Sequence, residues 1–208
     1  MTDRLLLKTL RLMGADPVDV LIDGGRITQI ADEIPAQDGD TVEDCEGAIA
    51  LPGLVDAHAH LDKTLWGMPW HPHAQGKSLQ HMIDTERSLR HELDMDAARQ
   101  SARQVTLALS KGTTAIRSHV DIDTDHGLKM FEGVAETRAR FSDVMQIEIV
   151  AFPQSGMMIR PGTVELMDQA LRDGADIVGG LDPCGIDRDP KGQLDAVFGL
   201  AEKHGKPV

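Results

Sequence analysis

The densest group of reactive side chains lies in Asp56-Ala57-His58-Ala59-His60-Leu61-Asp62-Lys63. In an extended strand, residues two apart share a face, so the imidazoles of His58 and His60 point the same way. Two imidazoles so placed can hold a divalent cation by their ring nitrogens. The same pair can equally be two solvated histidines at a strand end. Lys63 reads as a charge at the rim of such a site. His119 and Asp121 also share a face, within Arg117-Ser118-His119-Val120-Asp121. They can act behind a metal ligand, orienting it, or form a satisfied buried pair. Gln154, in Ala151-Phe152-Pro153-Gln154-Ser155-Gly156, reads by itself as a loop amide after a proline. Asp182 and Cys184 stand at the end of a later apolar run, where they would line the same rim. His71, His73 and His81 lie in a polar stretch and are solvated or cover the site; His126 and His204 are expected at the surface. Pro183-Cys184-Gly185-Ile186 lacks the second cysteine of a PCxxC motif and no His-x-Glu precedes it. That excludes the zinc nucleobase deaminases of the cytidine type. Gly179-Gly180 has no GxGxxG context, which argues against phosphate binding.

These residues need elements to hold them. Val18, Val20 and Ile22 alternate with Asp19, Leu21 and Asp23 before Gly24-Gly25, and Ile27 to Ile30 returns; this is a hairpin pattern. Residues 1 to about 50 therefore read as a small β unit. From residue 51 the texture changes. Strands are expected at about 54–60, 115–121, 146–152 and 176–181, as parallel neighbours. Helices are expected over about 94–110 (ending at Gly112), 127–141, 161–172 (with Pro161 in its first turn) and 194–203 (ending near Gly205). Strands alternating with helices imply parallel βαβ units, and barrel enzymes place their sites at the C-terminal ends of such strands.

The 208 residues carry a formal net charge of -13, with 41% hydrophobic, 26% charged and only 3% aromatic side chains. An acidic surface repels polyanions, so neither nucleic acid nor a membrane surface is an expected partner. No stretch approaches the roughly 18 apolar residues of a membrane span, and the first residues lack a signal-peptide core. Two cysteines, Cys45 and Cys184, lie far apart without a CxxC partner, which favours a reducing compartment. The cytoplasm is the expected location.

The order of the motifs resembles the amidohydrolase superfamily: a strand-rich start, the Gly24-Gly25-Arg26-Ile27 turn, then Leu51-Pro52-Gly53-Leu54-Val55 leading into His58 and His60. With His60-Leu61-Asp62-Lys63, the segments around His119 and Gln154, and Val178-Gly179-Gly180-Leu181-Asp182-Pro183, the chain is similar over essentially its whole length to the cytosine deaminase branch. That branch also contains the s-triazine N-alkyl amidohydrolases. The resemblance implies an α/β fold, a (β/α)8 TIM-type barrel whose first four βα units occupy residues 51-208, preceded by a β-sandwich portion at 1-50. It implies His58 and His60 as metal ligands for one divalent ion, Zn(II) or Fe(II). Gln154 matches the amide that hydrogen-bonds the substrate ring, and Phe152 matches a pocket-lining aromatic. The implied activity is deamination of a nitrogen heterocycle, cytosine or a related pyrimidine, by a metal-activated water. The alternative is removal of an alkylamine from a triazine-like ring; no acidic residue follows Gln154, which leans that way. The family takes its remaining ligands and its acid–base glutamate from the fifth strand onward. A chain ending at Val208 is therefore expected to be an N-terminal half, and a half-barrel binding or assembly module is the non-enzymatic alternative. The implied partner is a small-molecule heterocycle, with a homo-oligomer left open.

Overall fold

Gly24 and Gly25 take positive φ (57° and 74°), as a tight hairpin turn requires. They join β2 (Val18–Asp23) to β3 (Arg26–Ala31), paired antiparallel with Asp23 opposite Arg26. The computed structural model describes residues 4–72, 78–93 and 95–208. It falls into two compact units, 1–52 and 53–208. In the first, β1 (Arg4–Leu12) pairs antiparallel with β2 and parallel with β4 (Thr41–Asp44) and β5 (Ile49–Ala50). The described residues thus make one mixed five-stranded sheet, with strand order β3-β2-β1-β4 and β5 beside β1. Its small core is Leu6, Leu21 and Ile34. A second, facing layer of a sandwich is not among the described residues.

β1 is bent where Thr9 takes φ 57°, unusual for a β-branched residue, and its register with β2 shifts between Leu7 and Leu10. The Asp19 carboxylate compensates. It accepts the Thr9 N–H at 3.1 Å and the Ile34 N–H at 2.9 Å, and pairs with Lys8 at 3.1 Å.

The second unit is a four-stranded parallel sheet ordered β6 (Leu54–Ala59), β7 (Thr113–Asp121), β8 (Gln146–Phe152), β9 (Ile177–Val178). Helices α2 (Ala97–Leu109), α3 (Lys129–Arg140), α4 (Thr163–Arg172) and α5 (Pro190–His204) cover one face. Ile116, Ser118, Val120, Ile147, Ile149 and Ala151 are buried on it. The alternate positions, including Arg117, His119, Glu148, Val150 and Phe152, belong to the other face. Arg117 and Glu148 pair across it at 2.5 Å.

The parallel strands and four of the helices follow the expectations from sequence, except that α5 begins at Pro190, capped by Asp189, rather than at 194, and with three further differences. β9 is two residues long rather than six, although Gly179 continues its pairing by donating to the Ala151 carbonyl at 2.8 Å. Pro161 lies outside α4: the cap is Gly162, whose φ of 100° only glycine adopts freely, so the helix starts two residues later. And α1 (Leu79–Glu92) fills the stretch read as merely polar. Its signal was present, in a Ser78 side chain that accepts the His81 N–H and in the spacing of Leu79, Met82, Ile83 and Leu89. No helix among the described residues is long and apolar enough to cross a membrane.

Candidate metal centre and adjoining cavity

β6 does not run in simple register with β7. Asp56 pairs with Ile116 and Ala59 with Ser118, so β6 carries one extra residue between them. The bulge places Ala59 against the helices, 6% exposed, and turns His58 and His60 to the opposite face. Asp56 steadies it by accepting the His58 N–H at 3.2 Å. His119 on β7 completes a cluster of three imidazoles. Its ring stacks on His58 with centroids 4.1 Å apart, and His60 lies 5.4 Å from His58 and 5.7 Å from His119. Phe152 closes one side edge-on, 5.3 Å from His119 and 6.0 Å from His60.

Burial, and then the charges of Lys63, His119 and His58, push the His60 imidazole down to about 4. Burial and the neighbouring His58 and Arg117 lower His119 as well. Both rings are therefore neutral at pH 7, the form that binds metal. The Nδ1 atoms of His60 and His119 are buried with no hydrogen-bond partner. A buried ring nitrogen with a free lone pair suits a cation. The residues fit a metal ion in part: three imidazole rings lie 4.1 to 5.7 Å apart, but no three His, Cys, Asp or Glu side chains among the described residues are arranged to hold one together.

Asp121 goes elsewhere. No hydrogen bond joins it to His119 among the described residues, so the alternative of a His–Asp pair does not hold. Its carboxylate meets Lys63 at 3.3 Å and Arg90 at 2.9 Å, and its N–H donates to Asp62. Glu86 on α1 takes a second hydrogen from Lys63 at 2.9 Å, and Arg87 pairs with Asp125. Burial, with Asp121 beside it, pushes the fully enclosed Asp62 carboxyl up to about 7. Burial lowers Lys63 while Asp121, Glu86 and Asp62 raise it, and the carboxylates prevail. This network ties α1 to the ends of β6 and β7. Sequence reading missed Arg90 and Glu86, because a salt bridge between a helix and a strand end leaves no spacing pattern, and gave Asp62 no role of its own.

Gln154 sits two residues past the end of β8, half-buried. It lines a cavity of about 590 Å³ together with Lys63, Glu86, Arg90 and His71, and with apolar side chains mostly from α1. Phe152 does not line that cavity; it borders a smaller depression with His119 and Arg117. Lys63 lines the cavity with its side chain only 11% exposed and paired with Glu86 and Asp121, a buried ion pair rather than an open rim charge. His81 is an exposed residue at the start of α1, and His73 lies outside the described residues. Asp182 and Cys184 do not line the cavity: Asp182 accepts the Gly185 N–H in a turn, and Cys184 is exposed. His204 is not a free surface residue, since its Nε2 lies 2.7 Å from Asp168 with the ring 11% exposed.

No protein-family profile matches the sequence. The chain is 30% identical, over 208 residues and 96% of its length, to the N-isopropylammelide isopropyl amidohydrolase of Pseudomonas sp. strain ADP, and covers 51% of that protein. Among solved structures it is similar to N-isopropylammelide isopropylaminohydrolase from Burkholderia multivorans. The TM-score is 0.91 and the identity 46%, over 99% of this chain and 51% of that one. It is also similar to 5-methylcytosine deaminase from Klebsiella pneumoniae, with a TM-score of 0.78 and 26% identity over 97% of this chain and 49% of that one. The chain spans about half the length of these relatives. Homologues and structural neighbours alike are amidohydrolases and deaminases whose N-terminal half it matches, and the chain belongs to the amidohydrolase superfamily, in the branch of cytosine deaminase and N-isopropylammelide amidohydrolase.

Proposed function

We propose that this chain is part of a metal-dependent hydrolase that cleaves the exocyclic C–N bond of a nitrogen heterocycle. Residues 51–208 would be the first half of a (β/α)8 barrel, and residues 1–50 part of a β-sandwich. The observation that supports the reading is the closeness of the His58 and His60 rings, 5.4 Å between centroids, with the His60 Nδ1 buried and without a hydrogen-bond partner. His58 and His60 would hold one divalent ion, Zn(II) or Fe(II); imidazole ligation suits both. When bound, that ion would lower the pKa of a water toward neutrality. His119, stacked on His58, would keep that ring from rotating, and Phe152 would exclude water from the same side. Asp121 would act on the site only indirectly, through Lys63 and Arg90. Gln154 offers a donor and an acceptor to the ring edge and would present the ring carbon. Water oxygen adds to that carbon, the C–N bond breaks, and the amine leaves with a proton.

The leaving group is ammonia, as from cytosine or a related pyrimidine, or an alkylamine from a triazine ring. The 46% identity to an N-isopropylammelide isopropylaminohydrolase supports the second. Two free cysteines are in keeping with the cytoplasm. The test uses the full-length protein and two variants. His60→Ala should lose bound metal and turnover together. Gln154→Ala should keep its metal and lose about 5- to 150-fold in kcat/KM, the cost of one buried hydrogen bond left unmade. Stoichiometric metal in His60→Ala, or unaltered kcat/KM in Gln154→Ala, refutes the respective role.

A further inference from the structure

The cavity beside Gln154 has a lining of two chemical kinds. Lys63, Glu86 and Arg90 are polar, and Lys63 and Arg90 are already engaged with carboxylates. The apolar part is larger: Leu79, Met82, Ile83 and Leu89 from successive turns of α1, with Leu65 and Met95. At about 590 Å³ the space falls within the range of small-molecule sites and exceeds what a bare six-membered ring fills. Two of these apolar side chains are partly open to the solvent: Leu79 is 39% exposed and Met82 42%. Glu86 and Arg90, one and two turns on from Met82, line the same cavity, so the ion pairs and the apolar groups share one face of α1 and fix that face toward the cavity.

We propose that the apolar face of α1 is the specificity element for the leaving amine, holding the alkyl group of an N-alkylamino heterocycle while Gln154 holds the ring. This rests on the hydrolytic reading above and adds which residues set the substrate class. The chemistry follows from desolvation. An alkyl substituent laid against Leu79, Met82 and Ile83 leaves water, whereas an unsubstituted amino group there gains nothing and faces an apolar wall with its N–H groups unpaired. One methylene in a fitted apolar pocket discriminates about 10- to 200-fold.

The experiment uses the full-length, metal-loaded protein. It compares kcat/KM for two triazines, isopropylamino-dihydroxy-s-triazine and its unsubstituted amino counterpart. The wild type is set beside Leu79→Gln/Met82→Gln, in which both altered side chains are of similar length, partly exposed and compatible with a helix. The ratio of alkylamino to amino substrate should fall at least about tenfold in the double variant, and the fall should appear mainly in KM. Circular dichroism and metal content, measured in the same preparations, establish that both proteins are folded and loaded. Turnover with the ratio unchanged within about twofold overturns the role of α1 and leaves the hydrolytic reading standing. Absence of turnover on both triazines and on cytosine by the wild type overturns both. Should the double variant fail to fold, Met82→Gln alone carries the test on the same ratio, with about threefold as the threshold.

Discussion

Among single residues, the two histidines of His58-Ala59-His60 are legible because strand periodicity is strict: whatever face the pair takes, it takes together. Which face that is depends on the bulge after Asp56, and no pattern in the sequence announces an extra residue in one strand. Gly179 is the converse case. Discounted as a phosphate loop, it has a packing reason instead. A Cβ there would lie 2.7 Å from the Ala151 carbonyl oxygen, 2.9 Å from Val150 Cγ1 and 3.0 Å from the Phe152 ring. The nearest atom is backbone and cannot rotate away, so Gly179→Ala must push β9 from β8 or displace Phe152. A cost of about 1–3 kcal/mol is expected, as for other overpacked sites. Chemical denaturation of Gly179→Ala beside wild type measures it; a difference under about 0.5 kcal/mol would show that the backbone there yields freely.

At the level of elements, α1 is held to the end of β7 by charge. Arg90 and Asp121 are 2% and 1% exposed and 2.9 Å apart. Removing one partner of a buried pair leaves the other charge desolvated, which costs about 3–5 kcal/mol, whereas replacing both with apolar groups is often neutral. Arg90→Leu should therefore be strongly destabilising, and Arg90→Leu/Asp121→Leu less so, although Lys63 then keeps only Glu86. Urea melts of the single and double variants decide it. If the double variant is the weaker of the two, the pair contributes nothing through charge. The helix itself was recoverable from the Ser78 cap and the four apolar positions, but the histidines around it drew the reading toward a loop. The start of α4 was placed too early because a proline at the first turn is a good rule, overridden here by the left-handed Gly162.

For the whole molecule, two units with separate cores should respond separately to acid. Burial raises the Asp19 carboxyl, but the Ile34 and Thr9 N–H groups and the Lys8 ammonium outweigh it and hold it below the usual range. A carboxyl lowered on folding stabilises above its unfolded pKa of about 3.9, and that contribution is lost as pH falls through the lower folded value. The first unit, whose small core has little to offset the loss, should open below about pH 4. Asp19→Asn should be weaker at pH 7 and should lack this acid step. Hydrogen exchange of peptides from residues 4–50, at pH 7 and pH 3, reads it directly. Equal acid sensitivity in wild type and Asp19→Asn would assign the effect to other carboxylates.

What the sequence determined by itself was periodic or local. The hairpin at Gly24-Gly25, the four parallel strands, the helix ending at Gly112 and the paired histidines all come from rules acting within a few residues. The motif order carried the superfamily, and His58, His119, Gln154 and Gly179 all stand close to the end of a parallel strand. Tertiary structure decided what depends on distance between elements. It stacked His119 on His58, sent Asp121 to Lys63 and Arg90 instead of to an imidazole, and separated Phe152 from the cavity that Gln154 lines. It also made α1 a wall of that cavity. Charges brought together from 23 to 58 positions apart leave no mark on local spacing. Their energies arise only when water is removed between them, and folding alone brings that about.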